Sequence, residues 1–229
     1  MKFPISRLND YFRRFPFFKG IISVWGDFGV GKTTFALQTS MNSIKNENSI
    51  IYIYSKPVIP HEIIKRIFQD STEFLERIIF IIPDNFEDLH DIVFNLEYLI
   101  LRNLNETNNR ITLIVIDSLT DLYRLELNRE KRDKNYNLNY NLDHILATLS
   151  YINETYDINI LIVNEKVQIR NKNQPKEIQS GGKVMEYWTA LDIKIERTDI
   201  LKKRKFFLTK HPEEKQINFM SELTENGFL

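Results

Sequence analysis

Residues 26–33 read Gly26-Asp27-Phe28-Gly29-Val30-Gly31-Lys32-Thr33, matching the phosphate-loop pattern G-x-x-x-x-G-K-[ST] at every fixed position. The apolar run Ile21-Ile22-Ser23-Val24-Trp25 precedes it, and Leu37, Met41 and Ile44 follow at helical spacing. The loop is therefore expected between a strand and a helix, where converging backbone N–H groups and the positive helix end face an anion. Three of the seven glycines in the chain, Gly26, Gly29 and Gly31, supply the backbone freedom this bend needs. By this pattern Gly26, Asp27, Phe28, Gly29, Val30, Gly31, Lys32, Thr33 and Thr34 would hold the phosphates of a nucleotide. Lys32 would charge-pair with the β- and γ-phosphates, and the Thr33 hydroxyl would ligate Mg²⁺.

Further β-rich runs follow at residues 50–54, 78–82, 111–116 and 158–163, continuous in Ile and Val, as suits strands buried on both faces of a parallel sheet. A helix is expected over residues 86–104, where Leu89, Ile92, Val93, Leu96, Leu99 and Ile100 form one stripe. The alternation indicates repeated βαβ units. After residue 190 the runs 190–195, 206–208 and 216–219 are expected as antiparallel strands at one sheet edge. Residues 128–139 and 168–180, polar and in one case interrupted by Pro175, are expected to be irregular.

The chain of 229 residues shows no Pro/Gly/Ser-rich boundary and reads as one domain over 1–229. Lys plus Arg and Asp plus Glu balance at 31 each, so any nucleic-acid contact must come from local clusters. Without cysteine there are no disulfides and no thiolate metal sites. No apolar signal core and no membrane-length apolar stretch occurs, so a cytoplasmic protein with no membrane role is expected.

The run Ile111-Thr112-Leu113-Ile114-Val115-Ile116-Asp117-Ser118 ends an apolar strand in a carboxylate, the form of a Walker B segment. Ligands of open parallel sheets gather at the carboxyl ends of strands, which would bring Asp117 beside the phosphate loop to share Mg²⁺ with Thr33. The alternative is a cap, with Asp117 or Ser118 opening the next helix.

These segments, together with Ser180-Gly181-Gly182-Lys183-Val184-Met185-Glu186-Tyr187-Trp188 and the terminal Leu223-Thr224-Glu225-Asn226-Gly227-Phe228, resemble the RecA/RadA recombinase superfamily, specifically its short RadB-like archaeal RadA paralogues. The resemblance runs from about residue 5 to 228. It implies a RecA-like P-loop ATPase core, α/β, with a mainly parallel central sheet flanked by helices. It also implies a core without the N-terminal helical domain of full-length RadA, and hence a monomer or small oligomer. The implied role is an accessory in recombination and repair that binds single-stranded DNA and a RadA-type recombinase, with weak ATP hydrolysis. A KaiC-like regulatory ATPase that controls a protein partner is the rival.

One departure bears on mechanism. The family usually places a glutamate that orients water just past the second strand, where this chain has Tyr54-Ser55-Lys56. A charged lysine cannot serve as a general base, although it can pair with a phosphate; a solvated loop lysine is the plainer alternative. Glu165 follows Asn164 where the family often has Asn-Gln. It is either a phosphate sensor and substitute base, counted with Lys32 and Asp117 as catalytic, or a strand-end glutamate facing solvent. The DNA-binding candidates are Arg129, Lys131, Arg132 and Lys134, with Tyr136 and Tyr140, in a first loop, and Arg170, Lys172 and Lys176 in a second. Residues 202–205, all basic, are expected to blunt an exposed hairpin edge. Lys210 resembles the superfamily lysine that reaches a neighbouring subunit's nucleotide, with a plain surface lysine as the equal alternative.

Overall fold

In the fourth β-run, Leu113 and Val115 pack into one apolar cluster while Ile114 and Ile116 pack into another. Strand side chains alternate between faces, so an uninterrupted Ile/Val run needs cover on both. The computed structural model describes residues 1–15, 18–44, 48–69, 71–107, 109–128, 130, 132–169, 176–213 and 216–229. Among them lie strands β1 (Ile21–Gly26), β2 (Asn48–Tyr54), β3 (Ile78–Ile81), β4 (Arg110–Asp117), β5 (Asn159–Ile169), β6 (Lys176–Gln179), β7 (Thr189–Arg197), β8 (Lys203–Lys210), β9 (Ile217–Thr224) and β10 (Gly227–Phe228). They form one sheet in the order β10-β9-β8-β7-β1-β5-β4-β2-β3, with β6 paired to β5 off that path.

The helices are α1 (Ser6–Arg13), α2 (Lys32–Ser43), α3 (His61–Ile67), α4 (Phe86–Phe94), α5 (Leu96–Thr107), α6 (Thr120–Glu126), α7 (Arg132–Tyr156) and α8 (Gly182–Trp188). One face of the sheet carries Leu8, Phe35 and Leu37 from α1 and α2; the other carries Phe86, Leu142 and Leu146 from α4 and α7. None of the described helices is long and apolar enough to cross a membrane.

Five expectations change. The helix over 86–104 breaks at Asn95 into α4 and α5, and the Asn95 side chain turns back to donate to the Asp91 carbonyl at 2.8 Å. Leu96 and Ile100 still join Leu89 and Val93 in one cluster, so the apolar stripe runs across the break and hides it. The irregular stretch 128–139 is helical from Arg132 onward, because Leu138 opens a buried stripe continued by Leu142, Ile145, Leu149 and Ile152.

In the stretch 168–180, β5 persists to Ile169 and β6 pairs back onto it antiparallel; Pro175 lies outside the described residues. Of the strands after residue 190, β7 runs parallel to β1, and β8, β9 and β10 then continue antiparallel to the edge. β8 is therefore an inner strand, and the basic residues at its start do not guard an edge. Arg204 instead donates to the Val30 carbonyl of the phosphate loop at 3.3 Å.

The parallel register fixes where the ends of the strands meet. Gly26 lies opposite Glu165, and Asp117 opposite both Val163 and Tyr54. One end of the sheet thus gathers the ends of β1, β2 and β4 and the middle of the long β5.

Candidate nucleotide site

At Gly26, φ is +157°, close to fully extended, but a Cβ there would stand 2.2 Å from the Ile195 carbonyl oxygen. The phosphate loop can therefore leave β1 against β7 only as glycine. Gly31, at φ +103°, takes the left-handed turn into α2 that a residue with a side chain adopts only under strain. The loop is braced from outside: Arg197 Nη2 donates to the Phe28 carbonyl at 3.1 Å, and Lys166 Nζ pairs with Asp27 Oδ2 at 2.9 Å. Its backbone is thus held in shape before any ligand arrives.

Lys32 is buried, at 4% exposure. Its ammonium donates to the Gly26 carbonyl at 3.0 Å, to the Asp27 carbonyl at 2.7 Å and to Glu165 Oε2 at 2.9 Å. Burial pushes its pKa down, and the Glu165 carboxylate opposes that. In front of it opens a cleft of about 360 Å³, lined on the loop side by Phe28, Gly29, Gly31, Lys32, Thr33 and Thr34. Tyr54, Pro60, Ile63 and Leu223 give the cleft apolar wall, while Lys56 and Glu165 also reach it. Gly26, Asp27 and Val30 belong to the loop but are not among the residues that line the cleft. Glu165 is a lining group and not a solvent-facing strand end.

Asp117 is fully buried. Tyr52 Oη donates to its Oδ2 at 3.1 Å, and Lys56 Nζ stands 2.8 Å from its Oδ1 as an ion pair. The capping alternative fails: among the described residues the N-cap position of α6, Leu119, has no side-chain cap, and the Ser118 hydroxyl is buried without a partner. Lys56 is not a solvated loop lysine either, for its ammonium also donates to Thr33 Oγ1 at 3.1 Å. Burial alone would lower its pKa, but attraction to Asp117, aided by Asp121 and Tyr54, leaves it above the ordinary lysine value. The Tyr52 phenol is pushed well up, by burial first and by Asp117 second.

The two oxygens expected to hold Mg²⁺, Thr33 Oγ1 and an Asp117 carboxylate oxygen, are thus brought together, but an ammonium lies between them. The donor set fits a divalent cation only with Lys56 withdrawn.

Behind the cleft a buried polar chain crosses the sheet, which the sequence reading missed. Thr120 Oγ1 donates to Asn164 Oδ1 at 3.0 Å, and Asn164 Nδ2 donates to Gln179 Oε1 at 3.2 Å. Ser23 Oγ reaches the same Gln179 oxygen at 2.6 Å, and Gln179 Nε2 donates to Asp192 Oδ1 at 2.9 Å. The available signal was a polar residue inside an apolar run, at Ser23 and at Asp192. Burial raises the Asp192 carboxyl to about 6, against the pull of donors from Thr189 and Gln179 and the charge of Lys210; Glu186 adds to the rise.

The expected DNA residues are placed less completely. Arg129, Lys131, Arg170 and Lys172 lie outside the described residues. Arg132 opens α7 and Lys176 opens β6. Lys134, on α7 and not in a loop, sits 3.8 Å from the Glu126 carboxylate. Tyr136 and Tyr140 are exposed on the same helix, with Tyr140 stacked on His144. Lys210 donates to the Glu186 carbonyl.

The family model described as Rad51 matches residues 18–227. The chain is 32% identical over 211 residues to the DNA repair and recombination protein RadB of Methanococcus maripaludis (strain C5), covering 91% of this chain and 90% of that one. Against the RadB of Methanocaldococcus jannaschii it is 33% identical over 181 residues, 78% of this chain and 79% of the relative. Against that of Methanobrevibacter smithii it is 26% identical over 219 residues, 92% and 88% respectively.

Proposed function

The chain belongs to the Rad51 family, among its RadB-like RadA paralogues, and on that premise we propose that it is an ATP-binding accessory factor in homologous recombination and DNA repair. The observation that carries the nucleotide part is Lys32. Its ammonium sits at the entry of α2, fixed by two loop carbonyls and Glu165, and faces a cleft of about 360 Å³. A triphosphate there gains the lysine charge, the loop N–H groups and the positive end of α2 together.

Hydrolysis is weak. Where a water-activating carboxylate would stand, the chain has Lys56, whose raised pKa keeps it charged and unable to accept a proton. Glu165 is the carboxylate that lines the cleft, and its Oε2 is engaged by Lys32. Asp117 is tied to Tyr52 and Lys56, so it positions those groups and does not accept a proton from water.

Single-stranded DNA is the nucleic-acid ligand of this reading, with Arg129, Lys131, Arg132, Lys134, Arg170, Lys172 and Lys176 as phosphate contacts. A RadA-type recombinase is the protein partner. The names and the extent of the relatives support the recombination reading over a regulatory one.

Calorimetry of ATP against wild type and Lys32→Ala tests the nucleotide part, with an expected loss of about tenfold or more, 1.4 kcal/mol per decade; unchanged affinity in the variant refutes it. Anisotropy of a labelled oligonucleotide across a salt series tests the rest. Replacing Arg129, Lys131 and Arg132 by Ala should weaken binding and flatten its salt slope. A wild type without salt-sensitive binding hands the role to the KaiC-like regulatory alternative.

A further inference from the structure

We propose that the Lys56 ammonium is a built-in replacement for the divalent cation, so that this chain holds a nucleoside triphosphate without bound metal. The inference rests on the nucleotide reading above and concerns the same cleft.

Its basis is position. In the phosphate-loop pattern the threonine hydroxyl and the strand-end carboxylate converge on one cation, and here both converge on Nζ of Lys56, 3.1 Å from Thr33 Oγ1 and 2.8 Å from Asp117 Oδ1. The side chain is not there by default. Ser55 fixes the turn that carries it, its N–H donating to the Asp117 carbonyl at 2.9 Å and its hydroxyl bonding to the Ser118 carbonyl. Lys56 also lines the cleft, so the same ammonium that neutralises Asp117 faces the place where phosphate oxygens would lie.

Charge argues the same way. A metal would meet not a lone carboxylate but an ion pair already near neutrality, and an incoming dication close to an ammonium is repelled by it. Expelling Lys56 would cost its contact with a fully buried carboxylate. Among the described residues no group of three or more His, Cys, Asp or Glu could hold a metal ion. The remaining charge facing the cleft, Glu165, is already paired with Lys32. Two fixed lysines, Lys32 and Lys56, then meet the triphosphate as point charges, a task for which lysine is suited.

The test is ATP affinity of the full chain by calorimetry, in Mg²⁺ and again in EDTA. For wild type the two affinities should agree within about threefold, and for Lys56→Ala the value in EDTA should fall about tenfold or more while Mg²⁺ restores it. Lys56→Gln, which keeps a donor toward Asp117 and Thr33 without the charge, serves if the alanine variant does not fold, with the same expected metal dependence. A wild type that loses tenfold on chelation overturns the proposal, and so does a neutral variant that stays indifferent to the metal. Absence of binding in both media overturns the nucleotide reading itself and this inference with it, a result distinct from metal-dependent binding.

Discussion

Replacing Lys56 by methionine removes one charge of a buried pair and leaves the other with no cation beside it. Asp117 is fully buried, and Lys56 Nζ is 2.8 Å from its Oδ1. At that separation and an effective dielectric near 20 the gross attraction is about 6 kcal/mol. Lys56 keeps 22% exposure, so part of that gain is offset by water it would otherwise have held. Loss of one partner from a buried pair costs about 3–5 kcal/mol, and the Tyr52 hydrogen bond that survives favours the lower end. The expected loss in urea unfolding at neutral pH is therefore about 3 kcal/mol, with the denaturant slope unchanged.

Asp117→Asn in the same background should recover most of it, because an amide is far cheaper to bury than a lone carboxylate. The cycle of the two single variants and the double variant should give a coupling of about 2 kcal/mol or more. A loss under about 0.5 kcal/mol for Lys56→Met, or additive effects in the cycle, would refute the pairing on which the reading of this end of the sheet depends.

Three further outcomes follow from other contacts. Glu165→Gln frees Lys32 from its counter-ion, so ATP affinity by calorimetry should rise about fivefold, near 1 kcal/mol; an unchanged affinity refutes the pairing of Glu165 with the phosphate-binding lysine. Asp192, raised from 3.8 to about 6 by burial, binds its proton more tightly when folded. Its stabilising contribution is therefore full below pH 3.8 and lost as pH rises to about 6, a difference of about 3 kcal/mol that denaturation at stepped pH should show and Asp192→Asn should remove. Gly31→Ala places a Cβ 2.9 Å from the Phe228 ring at φ +103°, so thermal unfolding should move down by about 1–3 kcal/mol in equivalent free energy; an unshifted transition counts against the loop geometry.

The sequence made much of this legible because two of its signals are local. The glycine loop and the apolar strands declare themselves within eight residues, and the strand-end carboxylate inherits its place from the parallel register that puts Asp117 across from Tyr54. Long-range consequences were not legible. Nothing near Asn95 in the sequence interrupts the apolar stripe that crosses the break between α4 and α5. Likewise the polar first turn of α7 conceals a helix whose stripe begins only at Leu138. The buried chain from Thr120 through Asn164 and Gln179 to Asp192 spans 72 positions, and only tertiary packing brings those residues into hydrogen-bond range.

Lys56 was legible in identity and not in place: its departure from a glutamate is written in the chain, but its partner Asp117 lies 61 residues away. That placement connects binding to turnover. An ammonium held by Asp117 and Thr33 before the ligand arrives attracts a triphosphate in the ground state. In a loose transition state negative charge moves from the γ-phosphoryl group to the leaving oxygen, so a lysine placed on the γ-phosphate gains no additional attraction there. Interactions of equal strength in both states lower the dissociation constant and leave the chemical barrier where it was. Among the described residues that line the cleft the carboxylate is Glu165, and its Oε2 is spent on Lys32 instead of on an attacking water. On the proposed function, tight retention with slow turnover would then be one property of this site and not two.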